Sequence, residues 1–270
     1  MPENGFQSIG ELFSTPEFKA LISRAFDVAP QEAAEHESAL AADAPNCERC
    51  RDSGYLRLDV SAGHADLGRM VECPCGVVAA RRRMRIWASS QVPETMRGYS
   101  LESFAAHPSN AGRAQLVADL RAVWDDSNRW LLFLGPVGVG KTGLAISLLN
   151  AAMRRGSPGL YVVTPTYLSR IRATYSRNRD GEVDEMDVLA SVIETPVLVL
   201  DDVGKVALSE WGQEKLFTLV NERYIAGRRT IVTTNLDTED GSLEGHLWPA
   251  TWDRIRGMSE VFRLTGESLR

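Results

Sequence analysis

Long apolar runs are missing from this sequence of 270 residues. The longest, "WLLFLG" and "PVLVL", fall far short of the roughly 20 residues that a membrane-spanning helix needs. The first residues, "MPENGFQSIG", lack the basic start of a secretory signal, so the chain is expected to be cytoplasmic. Internal repeats and long low-complexity tracts are lacking as well, which argues against a solenoid or a disordered scaffold. Excess positive charge is also absent. The net charge of −6 at pH 7 speaks against a generally basic nucleic-acid binder, although local patches survive within an acidic total. A composition of 44% hydrophobic and 24% charged residues is that of an ordinary globular protein, and the length suggests one large domain with a smaller one.

Cysteine is scarce and confined. Cys47 and Cys50 form a C-x-x-C, Cys73 and Cys75 form a C-x-C within "CPCG", and no cysteine occurs elsewhere. A cytoplasmic chain disfavours disulfides between them. Four thiolates in two tight pairs suit tetrahedral Zn²⁺, each pair supplying two ligands from one turn. Gly54 and Gly76 follow the two pairs and supply turns. His64 lies between the pairs and is read as a loop residue, with a substitute-ligand role as the alternative. A site closed by four thiolates offers no position to water, so it is expected to hold a small fold together rather than catalyse.

These landmarks divide the chain into three. Residues 1–80 are expected to form a helical and zinc-binding domain, in which Phe6, Ile9, Leu12, Phe13, Phe18, Leu21, Ile22 and Phe26 recur at near-helical spacing. Residues 29–45, rich in Ala and Glu, read as a linker or an exposed helix. Residues 81–104 form a basic linker, overlapping "AARRRMRIW" at 79–87, and a segment "VPETMRGYSLESF" at 92–104 that leads into the larger domain at 105–270. The basic run, taken alone, is a solvated helix face. From residue 112 onward helical stretches alternate with strands that are apolar throughout: "WLLFLG", "GLYVVTP", "PVLVLDDVG" and "RRTIVTTN". Such strands belong to an α/β fold, a parallel sheet covered by helices on both faces.

Between the first of these strands and the helix "KTGLAISLLNAAMRR" lies "GPVGVGKT", residues 135–142. It matches G-x-x-x-x-G-K-[ST] in full and has the strand-before, helix-after setting that the motif requires. Gly135, Pro136, Val137, Gly138, Val139, Gly140, Lys141, Thr142 and Gly143 are therefore the expected nucleotide-binding residues. The glycines let backbone N–H groups turn toward phosphates. Lys141 is expected on the β- and γ-phosphates of ATP and the Thr142 hydroxyl on Mg²⁺. Asp201 ends the strand "VLVL" and can complete the Mg²⁺ shell, with Asp202 next to it to polarise the attacking water. Asn235, ending "VTTN", can reach the γ-phosphate or that water. Arg223 in "NERYIAG" has two readings: a cation satisfying carbonyls at a helix end, or a finger reaching a neighbouring subunit's ATP.

The ordered set of "GPVGVGKT", "VLVLDDVG", "NERY" before "TIVTTN", and "DRI" near the C-terminus resembles the AAA+ ATPases of the DnaC/DnaI helicase-loader and IstB group, over roughly residues 92–270. The resemblance implies an AAA+ P-loop core, with Lys141, Thr142, Asp201 and Asp202 in the two Walker roles, Asn235 as sensor 1, Arg223 as the finger and Arg254 as sensor 2, Arg256 being the alternative. The chain has Asp202 where many AAA+ enzymes have Glu. The resemblance also implies that the segment after the second core strand lines a path for single-stranded DNA, with Tyr167, Arg170, Arg172, Tyr175 and Arg177 interleaving rings and guanidinium groups. An ordinary amphipathic helix is the plainer account of that segment. DnaI-like loaders combine a zinc domain with this core, so the resemblance further implies docking on a replicative DnaB-type helicase and self-assembly on ATP. Two alternatives stay open: an IstB-like transposition helper acting on duplex DNA with a transposase, and a mainly non-enzymatic adaptor that uses ATP as a conformational switch.

Overall fold

The first elements among the described residues are too short to carry a readable pattern. In the computed structural model, which describes residues 47–61, 63–107, 113–177, 185–205, 207–236, 246–266 and 268, strands β1 (Tyr55–Arg57) and β2 (Met70–Glu72) pair antiparallel. The expected apolar helix face at residues 6–26 and the linker at 29–45 lie outside the described residues. Helix α1 (Val77–Ser89) follows and carries the basic run. Its arginines 81, 82, 83 and 85 are exposed while Val77 and Ile86 are buried, the solvated face that the run suggests. Because α1 runs through residue 80, a boundary drawn there falls inside a helix.

The segment ahead of the core is pinned rather than loose. Helix α2 (Leu101–Ala106) starts at a reciprocal cap between Ser100 and Ser103. The loop before it docks through Asn150, a fully buried side chain that donates to the carbonyls of Met96 (2.9 Å) and Tyr99 (3.0 Å). Then come α3 (Ala114–Asp126), β3 (Trp130–Leu134), α4 (Lys141–Arg154), β4 (Gly159–Val163), α5 (Thr164–Arg177), α6 (Glu185–Glu194), β5 (Val197–Asp201), α7 (Glu210–Ile225), β6 (Arg229–Thr234), α8 (Pro249–Met258) and β7 (Ser259–Arg263).

Five strands form one parallel sheet in the order β4-β5-β6-β3-β7. Alternate side chains explain why the strands are apolar throughout: Leu132, Leu198 and Val232 point to one face, Leu131, Val199 and Ile231 to the other. On the first face they meet Tyr167, Val188, Leu216 and Trp252 of α5, α6, α7 and α8. On the second they meet Val117, Leu144 and Leu148 of α3 and α4. Each such aliphatic side chain contributes about 1.5–3 kcal/mol by leaving water. Strand β7 escapes a sequence reading because it is an edge strand with a half-polar pattern, Val261 standing 39% exposed.

Parallel order has an electrostatic consequence. Helices α3, α4, α6 and α7 each lead into the N-terminal edge of a strand, so their unpaired C-terminal carbonyls collect there. Arginines answer them. Arg229 donates to the carbonyls of Trp124 and Ser127 behind α3, and Arg228 donates to Ile193 of α6 at 2.8 Å.

Candidate nucleotide site

The opposite edge of the sheet, at the C-terminal ends of β3 and β5, holds the sequence-predicted phosphate loop and carboxylates. Gly140 is the N-cap of α4 at φ 98°, and no side chain caps the helix, so the first-turn N–H groups are available to a phosphate. Gly135 cannot carry a side chain: a Cβ would lie 2.1 Å from the carbonyl oxygen of Leu264. Lys141 is 5% exposed, and its ammonium donates to the carbonyls of Gly135 and Pro136, both at 2.7 Å. Val137 is exposed and Val139 is buried. The carbonyl of Val139 accepts from Arg113 at 2.8 Å, and the other arm of Arg113 donates to the carbonyl of Thr265 at 2.6 Å. The chain after β7 is thereby tied over the loop, close enough that a Cβ on Gly138 would meet the Ser268 hydroxyl at 2.3 Å. Gly143 faces the ring of Tyr99 from the pre-core segment.

Asp201 is 4% exposed and surrounded by hydroxyl donors. Thr142 donates to Oδ1 at 2.9 Å, Thr233 to Oδ1 at 2.5 Å, and Tyr161 to Oδ2 at 2.8 Å. An alcohol and a carboxylate oxygen this close are hard donors of the kind Mg²⁺ takes, and together with the loop they fit a magnesium–triphosphate. Asp202 sits in left-handed backbone at φ 57°, which turns its carboxylate away from the strand line. There it accepts from Lys205 at 2.6 Å and from the Asn235 amide at 3.4 Å. Sequence reasoning missed Tyr161, Thr233 and Arg113. Thr233 lies opposite Asp201 only through the β5–β6 register, a non-local fact.

Arg223 does not reach outward, and the finger reading is corrected here. It is wholly buried at the far edge of the sheet, donating to Val192 (2.9 Å), Ile193 (2.9 Å) and Thr195 (2.7 Å) carbonyls at the end of α6, to the Arg229 carbonyl, and to the Thr230 hydroxyl. Burial, then the neighbouring Arg228, pushes its pKa down to about 9, still charged at neutral pH. It is the helix-end cation of the plainer reading. Arg254 on α8 donates to its own helix and lies over the rings of Phe217, at 4.9 Å, and Tyr224 of α7, while Arg256 is exposed. Those contacts are to α7, not to the phosphate loop.

The four cysteine sulfurs converge within 4.8 Å of one another. Cys47 and Cys73 stand 3.7 Å apart, as do Cys50 and Cys75. That separation far exceeds a disulfide, whereas bonds of about 2.3 Å to a tetrahedral zinc place sulfurs about 3.8 Å apart. The donor set fits Zn²⁺. The thiols act on one another: the backbone N–H of Cys50 pulls Cys47 down to about 7, while, against the Cys75 N–H, burial and the neighbouring thiols hold Cys73 up at about 12. Left-handed Arg51 and Asp52 turn the first pair, and β1 and β2 carry the chain to the second. His64 accepts from the Asp66 N–H and stays outside the cluster.

The expected DNA-binding set divides. Tyr167 is 1% exposed and belongs to the core, so it cannot stack on a base, and that expectation is corrected. Arg170 donates to Gln91 at 3.2 Å. Arg172 and Tyr175 do reach the surface, where they meet Trp211, which the sequence reading passed over. The Arg172 guanidinium lies 4.8 Å above the Trp211 ring, and Tyr175 meets that ring edge-on at 6.2 Å. Arg177 ends α5.

Sheet order, phosphate loop and paired aspartates define a P-loop nucleotide-binding protein of the AAA+ class. A family model described as IstB-like ATP binding protein matches residues 66–270, and the chain belongs to that family. An insertion-sequence ATP-binding protein of Pseudomonas fluorescens is 34% identical over 119 residues, covering 44% of this chain and 49% of that protein. The replicative helicase loader DnaI of Bacillus subtilis (strain 168) is 21% identical over 241 residues, covering 83% of this chain and 76% of that one. The crystal structure of the DnaC helicase loader aligns with a TM-score of 0.56 at 26% identity, covering 64% of this chain and 100% of that chain. The chain spans about half the length of the first insertion-sequence relatives, 49%, 57% and 50% of them. Among the described residues, no helix is long and apolar enough to cross a membrane.

Proposed function

We propose that this chain is a cytoplasmic ATPase that binds a hexameric DnaB-type helicase and loads it onto single-stranded DNA, with ATP hydrolysis driving release. The observation that carries the reading is the length of the likeness to the Bacillus subtilis loader. An alignment covering 83% of the chain has to include residues ahead of the core at 92–270, where the four-cysteine module stands. In this reading residues 1 to about 80 dock on the helicase, residues 81–104 connect, and residues 105–270 are the motor. Lys141 would leave the loop carbonyls for the β- and γ-phosphates, and Thr142 and Asp201 would hold Mg²⁺, which would supply charge neutralisation at the phosphates. Asp202 orients and polarises water and Asn235 holds Asp202 and the γ-phosphate, while the Arg172–Trp211–Tyr175 cluster receives single-stranded DNA. Arg254, half-buried over the α7 rings, is left for a sensor role in the assembled ring, with the exposed Arg256 as the alternative.

A second reading has its own support. The family description and the 34% identity to an insertion-sequence protein favour a transposition helper on duplex DNA. Sizing-column co-elution of the zinc-replete protein with the replicative helicase of the same genome, in ATP and Mg²⁺, separates the two. A joint peak lost on deleting residues 1–80 is the expected result. Assembly on duplex DNA without a joint peak would transfer the proposal to transposition.

A further inference from the structure

A buried carboxylate has four lone-pair directions, and the donors that occupy them decide which edge it offers to a cation. Asp201 is held from three sides. Thr142 approaches from the phosphate loop, while Thr233 comes from β6 and Tyr161 from β4, the two strands that flank β5. Thr142 is itself the hydroxyl that turns to a metal ion in the proposed reaction. Once it turns, Thr233 on Oδ1 and Tyr161 on Oδ2 are the donors that keep the carboxylate plane in place.

Of those two, Tyr161 is fitted to hold a fixed orientation. Its hydroxyl sits at the end of a rigid ring and donates to Oδ2 of Asp201 at 2.8 Å. Its backbone is anchored twice. The strand register sets it opposite Val199, and its N–H donates at 2.8 Å to the carbonyl of Ser90, the residue that closes α1. The turn after Ser90 is also specific: Gln91 is left-handed at φ 59°, and its side chain accepts from Arg170. A cavity of about 170 Å³ is lined by Gln91, Tyr161, Thr166 and Arg170 among others.

Resting on the reading of Asp201 as a magnesium-holding carboxylate, we propose that Tyr161 is a positioning residue that orients Asp201 toward the cation. It acts through Asp201 and touches no reacting atom. The competing idea, that the Tyr161 hydroxyl occupies a lone pair the cation needs, predicts the opposite sign.

The test is the full-length Tyr161→Phe protein, in which the ring is kept and one hydrogen bond to a charged group is lost. Binding of a fluorescent ATP analogue is followed as Mg²⁺ is titrated, and again in EDTA. The expected result is a rise of about tenfold in the Mg²⁺ midpoint, with affinity in EDTA unchanged and a cooperative melt retained in EDTA. An unchanged midpoint, or a lower one, overturns the proposal. Asp201→Asn run alongside separates the two levels of inference. If it raises the midpoint strongly while Tyr161→Phe does not, only the positioning role fails; if Asp201→Asn leaves the midpoint in place, the magnesium reading fails and takes the proposal with it.

Discussion

Arg223 is a cation enclosed by acceptors, and its side chain does the work of a cap rather than of a catalyst. Truncating it leaves the carbonyls of Val192, Ile193 and Thr195 buried without a donor, at a cost of about 3 kcal/mol. For a chain of this size that corresponds to a melting temperature lower by about 10 °C. Circular-dichroism melts of Arg223→Ala, with nucleotide titrated well below the transition, check this: the midpoint falls and binding by the folded protein persists. A variant that melts like the parent and loses only assembly-dependent turnover would restore the reach-across reading. At the same scale the phosphate loop was readable because its chemistry is local: the residues that bind are consecutive. Whether Arg223 faces inward or outward is not a local property, and neither is the meeting of Thr233 with Asp201.

Among the elements, the cysteine module is the one that cannot stand by itself. Two strands of three residues bury too little to pair in water, and among the described residues the module is held by the thiol cluster and its contact with α1. The contact is close: a Cβ on Gly54 would lie 2.4 Å from a Val78 methyl. The other end of α1 is anchored separately, with Ile86 in the core of the larger domain. Removal of metal by a chelator, or Cys73→Ser, is therefore expected to open residues 47–76 to protease while the main thermal transition of the core stays in place. Limited proteolysis with mass spectrometry reads the first and calorimetry the second; a core transition that collapsed with the module would show that the two fold as one. Four of the five sheet strands were visible from the sequence because burial on both faces gives β3, β4 and β5 apolar runs and β6 an Ile–Val centre. Strands β1, β2 and β7 were not, since short or half-exposed strands carry mixed patterns.

For the whole molecule, the proposed function depends on what the surface presents to nucleic acid and to partners. With Tyr167 in the core, the candidate stacking face reduces to Arg172, Tyr175 and Trp211, drawn from α5 and α7. Stacking is worth about 1–3 kcal/mol per base, so Trp211→Ala is expected to weaken binding of an oligothymidine by about tenfold at fixed salt. Fluorescence anisotropy measures it, with duplex of equal length as the comparison. Equal weakening on duplex, or a parent protein that prefers duplex, would count for the transposition helper and against the loader.

The sequence by itself determined the class of fold, the phosphate loop, the acidic pair and the cysteine set, because each is written in adjacent residues or in an unbroken periodicity. Tertiary structure decided how those parts are aimed. It put Arg223 under the carbonyl ends of α6, made Tyr167 core, set half-buried Trp211 beside Arg172 and Tyr175, and brought Tyr161 and Thr233 to Asp201. The reason is physical: strand register and helix packing set distances between residues far apart in the chain, and hydrogen bonds of about 3 Å depend on those distances.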